Sequence, residues 1–141
     1  MKHSPHHLLQ ERLYKRPWRL LIGCIMLNLT TRSQVDKVIY KFFKLCPKPQ
    51  DAIKIPKRRL IRLLKPLGLV NRRVNTIKNF SKDFIEKSWT YPIELYGIGK
   101  YANDSYLLFC ADVWKNVRPT DKALKLYIKW RRRQELNLHV C

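Results

Sequence analysis

Leu95-Tyr96-Gly97-Ile98-Gly99-Lys100-Tyr101-Ala102 decides how this chain is read. Two glycines bracket one isoleucine between stretches of helical spacing. Pro92 opens a brief helical piece before them, and Tyr101 to Asp112 resumes the spacing after them through Tyr101, Ser105, Leu108 and Phe109. Without Cβ atoms, Gly97 and Gly99 admit backbone conformations closed to other residues. They also let the N–H groups that open the next helix come close to a phosphate. A Gly-x-Gly turn can equally just join two helices, so its neighbours carry the reading.

On either side the periodicity is helical and no stretch alternates as a strand, which predicts an all-α domain. Pro17 suits the first turn of a helix through Trp18, Leu20, Leu21, Ile22, Cys24, Ile25, Met26 and Leu27, apolar nearly all round and hence central. Ser33 is the expected cap of the next helix, where Val35, Val38, Ile39, Phe42, Phe43 and Leu45 recur until Pro47 and Pro49. A short helix over Lys57 to Leu64 meets another, around Val74, Ile77, Phe80, Phe84 and Ile85, at a tight corner through Pro66 and Gly68. A last helix is expected from about Pro119 to Arg133. The 141 residues suit one domain, 1–141, with a flexible N-terminus over 1–8 and a flexible C-terminus over 134–141.

Thirty Lys and Arg against ten Asp and Glu leave a net charge of +20, while 45% hydrophobic residues argue for a folded core rather than a basic tail. Lys54 to Arg73 carries eight basic residues and no acid, and Lys115 to Arg133 carries eight with Asp121 as the sole acid. Over half of the positive charge thus falls in two windows, which points to nucleic acid ahead of membrane headgroups. The longest apolar run, Leu20 to Leu27, is far too short to span a bilayer. The first twelve residues lack the apolar segment of a secretory signal, so an intracellular protein is expected. Cys24, Cys46, Cys110 and Cys141 show none of the short spacings that gather thiolates on zinc or iron–sulfur clusters, and read as reduced thiols without a cofactor.

Leu95 to Ala102 resembles the helix-hairpin-helix of the base-excision DNA glycosylase superfamily that includes endonuclease III. That superfamily places an essential Asp a short distance downstream, where this chain has Asp121. The resemblance is more specific to the mismatch-specific thymine/uracil glycosylases whose vertebrate members carry a methyl-CpG-binding domain. It rests on the run from Tyr91-Pro92-Ile93-Glu94-Leu95 through Asn103-Asp104-Ser105-Tyr106, on Phe109-Cys110 and Trp114-Lys115, and on Val117-Arg118-Pro119-Thr120-Asp121. Upstream, Pro17-Trp18, Leu20-Leu21-Ile22, Leu27-Asn28 and Leu64-Lys65-Pro66-Leu67-Gly68-Leu69 continue it, so that it covers roughly Leu9 to Trp130. The resemblance implies an endonuclease III-like fold without the iron–sulfur cluster, acting on double-stranded DNA with G·T or G·U mismatches; that substrate and the basic runs point to the nucleus, and a monomer is expected.

Breaking the C1′–N bond of thymine or uracil builds positive charge on the sugar. A fixed carboxylate stabilises that charge and can orient the attacking water. Asp121 suits this role, the cations around it favouring its ionised form and binding phosphates; an Asp there could also merely cap the last helix. In bifunctional relatives an amine stands two residues after the second hairpin glycine. Here that residue is Tyr101, and Lys100, about 100° away around the helix, points elsewhere, so a monofunctional enzyme that leaves an abasic site is expected. By resemblance, Tyr101 and Gln10 line the pocket of the flipped base, and Leu69 wedges beside the orphaned guanine. Gly97, Gly99, Lys100, Lys122 and Arg118 are the expected backbone contacts.

Two positions depart from the pattern. Leu29 stands where mammalian members have an Arg that enters the duplex, so it can plug the gap but cannot bind phosphate; Ala123 replaces a Lys near the pocket, with Lys122 and Lys125 as possible substitutes. A methyl-CpG-binding domain is also missing, as in a fragment or in a relative that works without one. The rival readings are a catalytically impaired damage-recognition module of the same fold and, further off, a basic RNA-binding protein.

Overall fold

The computed structural model of the protein describes residues 3–140, with side chains through 138. Among these residues the secondary structure is helical throughout: α1 (Leu9–Leu13), α2 (Pro17–Leu27), α3 (Arg32–Leu45), α4 (Pro49–Lys54), α5 (Lys57–Leu64), α6 (Val70–Glu86), α7 (Lys100–Ser105) and α8 (Lys122–Val140). Short 3-10 turns over Lys65–Leu67 and Pro92–Glu94 lead into α6 and the glycine hairpin.

As its all-round apolar sequence requires, α2 is the central helix: Leu20, Leu21, Ile22 and Met26 are fully buried, and the helix packs against α1, α3, α6 and α7. Gly23 lets α1 lie close, since a Cβ there would stand 3.0 Å from the Leu13 side chain. Trp18 packs edge-on to Phe43 and donates its indole N–H to Ser81 Oγ at 3.0 Å, joining α2 to α3 and α6. A second aromatic group, Phe109 and Tyr127 with centroids 4.4 Å apart, seats α8 on the segment that follows the hairpin.

Local chemistry shifts several expected boundaries. Thr31, not Ser33, caps α3: its Oγ1 accepts the Gln34 N–H, and Gln34 returns its side-chain oxygen to the Thr31 N–H. The helical run after the hairpin is α-helical only to Ser105. Over Tyr106–Cys110 it widens to a π-helix, closed by the Ala111 N–H on the Tyr106 carbonyl at 3.0 Å. The last helix begins at Lys122, three residues later than expected, and continues past Arg133 through Val140. Within the segment expected to be flexible over 1–8, Ser4 and Leu8 are anchored while residues 3, 5, 6 and 7 are exposed. Ser4 and Leu8 are buried, and the buried Glu11 carboxylate accepts the Ser4 N–H, the Ser4 hydroxyl and the Leu8 N–H at 2.5, 2.7 and 2.8 Å. Residues 1, 2 and 141, including Cys141, lie outside the described residues.

Cys24 and Cys46 are buried and Cys110 is half-buried, and no group of three or more His, Cys, Asp or Glu converges among the described residues. No described helix is long and apolar enough to cross a membrane. Lys78 on α6 illustrates how this basic chain handles cations indoors: its ammonium donates to the carbonyls of Ala52, Ile53 and Ile55, closing the C-terminal end of α4.

Candidate active site and nucleic-acid face

The glycine hairpin is held from both sides. Ile98, apolar between two glycines, is buried, its N–H bonded to the Leu95 carbonyl at 3.2 Å, and the Tyr96 N–H donates to Asp83 of α6 at 2.8 Å. Gly97 has φ +75°, and a Cβ there would lie 2.6 Å from Cγ2 of Thr76, so both backbone and packing demand glycine. Gly99 differs from expectation. Its φ of −102° is ordinary and a Cβ would meet nothing within 4 Å, so what its bare backbone secures is an open approach to the first turn of α7.

That hairpin forms one wall of a cavity of about 360 Å³. Gly97, Gly99, Lys100 and Tyr101 line it together with Leu29 and Leu69, bringing six of the sequence-predicted residues to one place. Cys24, Asn28, Arg72, Arg73 and Thr76 also line it, with Ile25 and Ala102, and were not read as site residues from the sequence. Their signal was weak: Cys24 reads as core, and Arg72 and Arg73 are two cations among eight in their window.

Leu29 and Leu69 share two unusual properties. Each is exposed, at 76% and 54%, and each has a left-handed backbone, φ +59° and +46°. For a leucine this conformation costs about 1–2 kcal/mol. Two strained apolar side chains therefore stand at the rim of one cavity, where burial would ordinarily have drawn them inward.

Gln10 is buried although it lies near the chain start, and it meets the cavity only through Tyr101, being absent from the lining itself. Its Nε2 donates to the Tyr101 hydroxyl at 2.8 Å and to Ser105 Oγ at 3.1 Å, so the two expected base-pocket residues are in direct contact. Ser105, the other anchor, was read only as part of a helical face. Burial raises the Tyr101 phenol well above its ordinary range, with Cys24 and Asp121 pushing the same way and the Gln10 hydrogen bond opposing them, so Tyr101 stays neutral. Cys24 is pushed up to about 12, chiefly by burial, and Asp121 again contributes.

Asp121 is half-buried directly before α8, and its Oδ2 accepts the Leu124 N–H at 3.0 Å. It therefore does cap the helix. One oxygen so held fixes the carboxylate, and its charge adds to the upward shifts of Tyr101 and Cys24, although Asp121 is not itself among the residues that line the cavity. Capping and catalysis are thus compatible roles for one side chain, not alternatives.

The remaining expected contacts are arranged differently. Lys100 is 51% exposed at the side chain, but its ammonium is engaged by Asp104 at 2.7 Å and by the Arg118 carbonyl at 2.9 Å, tying the hairpin helix to the loop that leads to Asp121. Arg118 folds back on the carbonyls of Lys115 and Val117 and, with Lys125, lines a separate basic groove along α8. Lys122 and Ala123 are exposed on the first turn of α8, outside both cavities.

A helix-hairpin-helix anchored by the buried Ile98, a cavity beside it and a carboxylate capping the following helix define a recognisable class. The model of the HhH-GPD superfamily of base excision DNA repair proteins matches residues 22–135, and the chain belongs to that superfamily. It is 40% identical over 124 residues to a methyl-CpG-binding domain protein 4-like protein of Arabidopsis thaliana, a match covering 88% of this chain and 28% of that one. It is 30% identical over 92 residues to a thymine/uracil-DNA glycosylase of Methanothermobacter thermautotrophicus, covering 60% and 42%. The chain thus spans less than half the length of either relative. In fold it is similar to a thermostable thymine-DNA glycosylase (TM-score 0.67, 24% identity, 80% of this chain and 53% of that one). It also matches endonuclease III from a trapped DNA covalent intermediate (TM-score 0.66, 19% identity, 79% and 60%).

Proposed function

We propose that this domain is a monofunctional DNA glycosylase that flips thymine or uracil opposite guanine out of the duplex and excises it. It leaves an abasic site in base excision repair, with deaminated CpG sites as its targets, and works in the nucleus as a monomer. The observation that carries this reading is the fixed Asp121 carboxylate at the start of α8, three residues after Arg118, whose carbonyl Lys100 ties to the hairpin helix. As the C1′–N bond breaks, Asp121 stabilises the cationic sugar and orients the water that attacks it, and the leaving base departs with the bonding pair. Gln10 commits both amide hydrogens to Tyr101 and Ser105, and its carbonyl oxygen is then the acceptor suited to the N3–H of thymine or uracil.

Absence of strand cleavage is supported by Tyr101, a neutral phenol at the position where an amine would be needed, and by Lys100, whose amine is ion-paired. The two exposed leucines fill the space vacated by the flipped nucleotide, and Arg72 beside them supplies a phosphate contact.

The test uses duplexes carrying G·T, G·U or G·C in a CpG context, treated with the protein or Asp121→Asn and developed with and without alkali. Asn caps helices as well as Asp does, so the variant keeps its fold. Breaks after alkali only, from mismatched substrates only, and slowed about 10²–10⁴-fold by the substitution are the expected result. Breaks without alkali would refute the monofunctional assignment, and full activity of Asp121→Asn would refute the role of Asp121.

A further inference from the structure

Arg73, in the first turn of α6, is buried, and its guanidinium is bound by carbonyl oxygens alone among the contacts the structure shows. Nε donates to Gly68 at 3.0 Å and Nη2 to Leu67 at 3.4 Å, the two residues that precede Leu69. Nη1 donates to Ile25 at 3.3 Å, near the C-terminal end of α2. The same Ile25 carbonyl accepts the Asn28 N–H at 3.4 Å, the turn from which Leu29 projects. One planar fork therefore grips both loops that carry the strained, exposed leucines.

We infer that Arg73 is a positioning residue that yokes Leu69 to Leu29, fixing the distance between the two side chains that replace the extruded nucleotide. The inference rests on the base-flipping reading above. Gly68, with φ +73° and open space around it, would leave the Leu69 corner loose without such a clamp. A Lys could not span three carbonyls on two loops, because its ammonium is a single point on a flexible stem where Arg offers a rigid set of donors. Lys78 offers an internal control: it too binds three carbonyls from α6, but those of α4, away from the leucines.

The experiment is a double-mutant cycle in the full chain. Arg73→Lys and Leu69→Ala are made singly and together, with Lys78→Met singly and combined with Leu69→Ala. Each protein is read by single-turnover excision from a G·U duplex and by the fluorescence of 2-aminopurine placed beside the mismatch, which brightens as the stack opens; thermal unfolding confirms folding. If Arg73 acts through Leu69, Arg73→Lys lowers both readouts about tenfold alone and adds little in the Leu69→Ala background. Lys78→Met multiplies with Leu69→Ala, because it acts elsewhere. Multiplication of the Arg73→Lys and Leu69→Ala losses, or full activity of Arg73→Lys, overturns the yoke while leaving the glycosylase reading intact. If the unsubstituted protein neither excises uracil nor opens the duplex, the glycosylase reading fails and the yoke falls with it.

Discussion

Replacing Gly97 by alanine separates what the first hairpin glycine does from what the second does. At φ +75° an alanine carries about 1–2 kcal/mol of backbone strain. Its Cβ would also sit 2.6 Å from Thr76 Cγ2, so the hairpin or α6 must shift, at a further ~1–3 kcal/mol. The stiffer unfolded chain returns about 0.4–1 kcal/mol. The net loss is about 1–5 kcal/mol, or roughly 3–18 °C in Tm for a domain of this size. Gly99→Ala meets neither penalty and stays within about 0.5 kcal/mol of the parent, but its methyl group occupies the open side of the hairpin and weakens binding of a mismatched duplex. Urea denaturation followed by circular dichroism measures the first effect, and fluorescence anisotropy with labelled duplex the second. Thr76→Ser removes the clashing carbon and recovers the packing part of the Gly97→Ala loss, not the backbone part. Equal stabilities for Gly97→Ala and Gly99→Ala, or no recovery with Thr76→Ser, would refute the reasoning.

Leu29→Arg adds a cation at the rim of the cavity, and one new phosphate contact steepens the dependence of log K on log salt by about 0.9; titrations at several salt concentrations check this, and an unchanged slope means that residue 29 does not reach the DNA backbone. Cys24, held at about 12 against an ordinary 9.0, keeps in the folded state a proton that the unfolded chain releases. Its contribution to stability is complete below pH 9 and falls by about 1.4 kcal/mol per pH unit above it. Cys24→Ala should therefore lose about 2–3 kcal/mol less than the parent between pH 8 and pH 11 in urea denaturation, and identical losses would show that burial does not hold the thiol protonated.

The sequence foretold the parts of this fold that depend on apolar spacing and on proline or glycine. α2 is central because its apolar residues run all round, and the Pro66–Leu69 corner falls where its turn chemistry lies. Boundaries set by hydrogen-bond choice were less legible: Thr31 and Ser33 are both good caps, and only the position of Gln34 three residues on favours Thr31. The π-helical stretch had no signal, since the apolar spacing through Leu108 and Phe109 reads as an ordinary helix. At the site, Tyr101 and Gln10 were paired only through resemblance, because no local pattern links residues ninety-one apart. Lys100 and Arg118 read as phosphate ligands by charge, yet in the fold Lys100 is engaged by Asp104 and a carbonyl, and Arg118 turns back on its own loop. Arg73 was hidden for the converse reason: in a run of cations nothing marks the one that turns inward.

Arg73, Lys78 and Lys100 all bind backbone carbonyls, and the first two do so with no acidic side chain among the partners shown. Arg73 and Lys78 are thus balanced by peptide dipoles, which every sequence supplies, whereas the largely buried Arg131 pairs with Asp112. The joints that Arg73 and Lys78 make therefore do not depend on how many acids the surface carries. The grip on a polyanion can change with surface charge while these two joints hold.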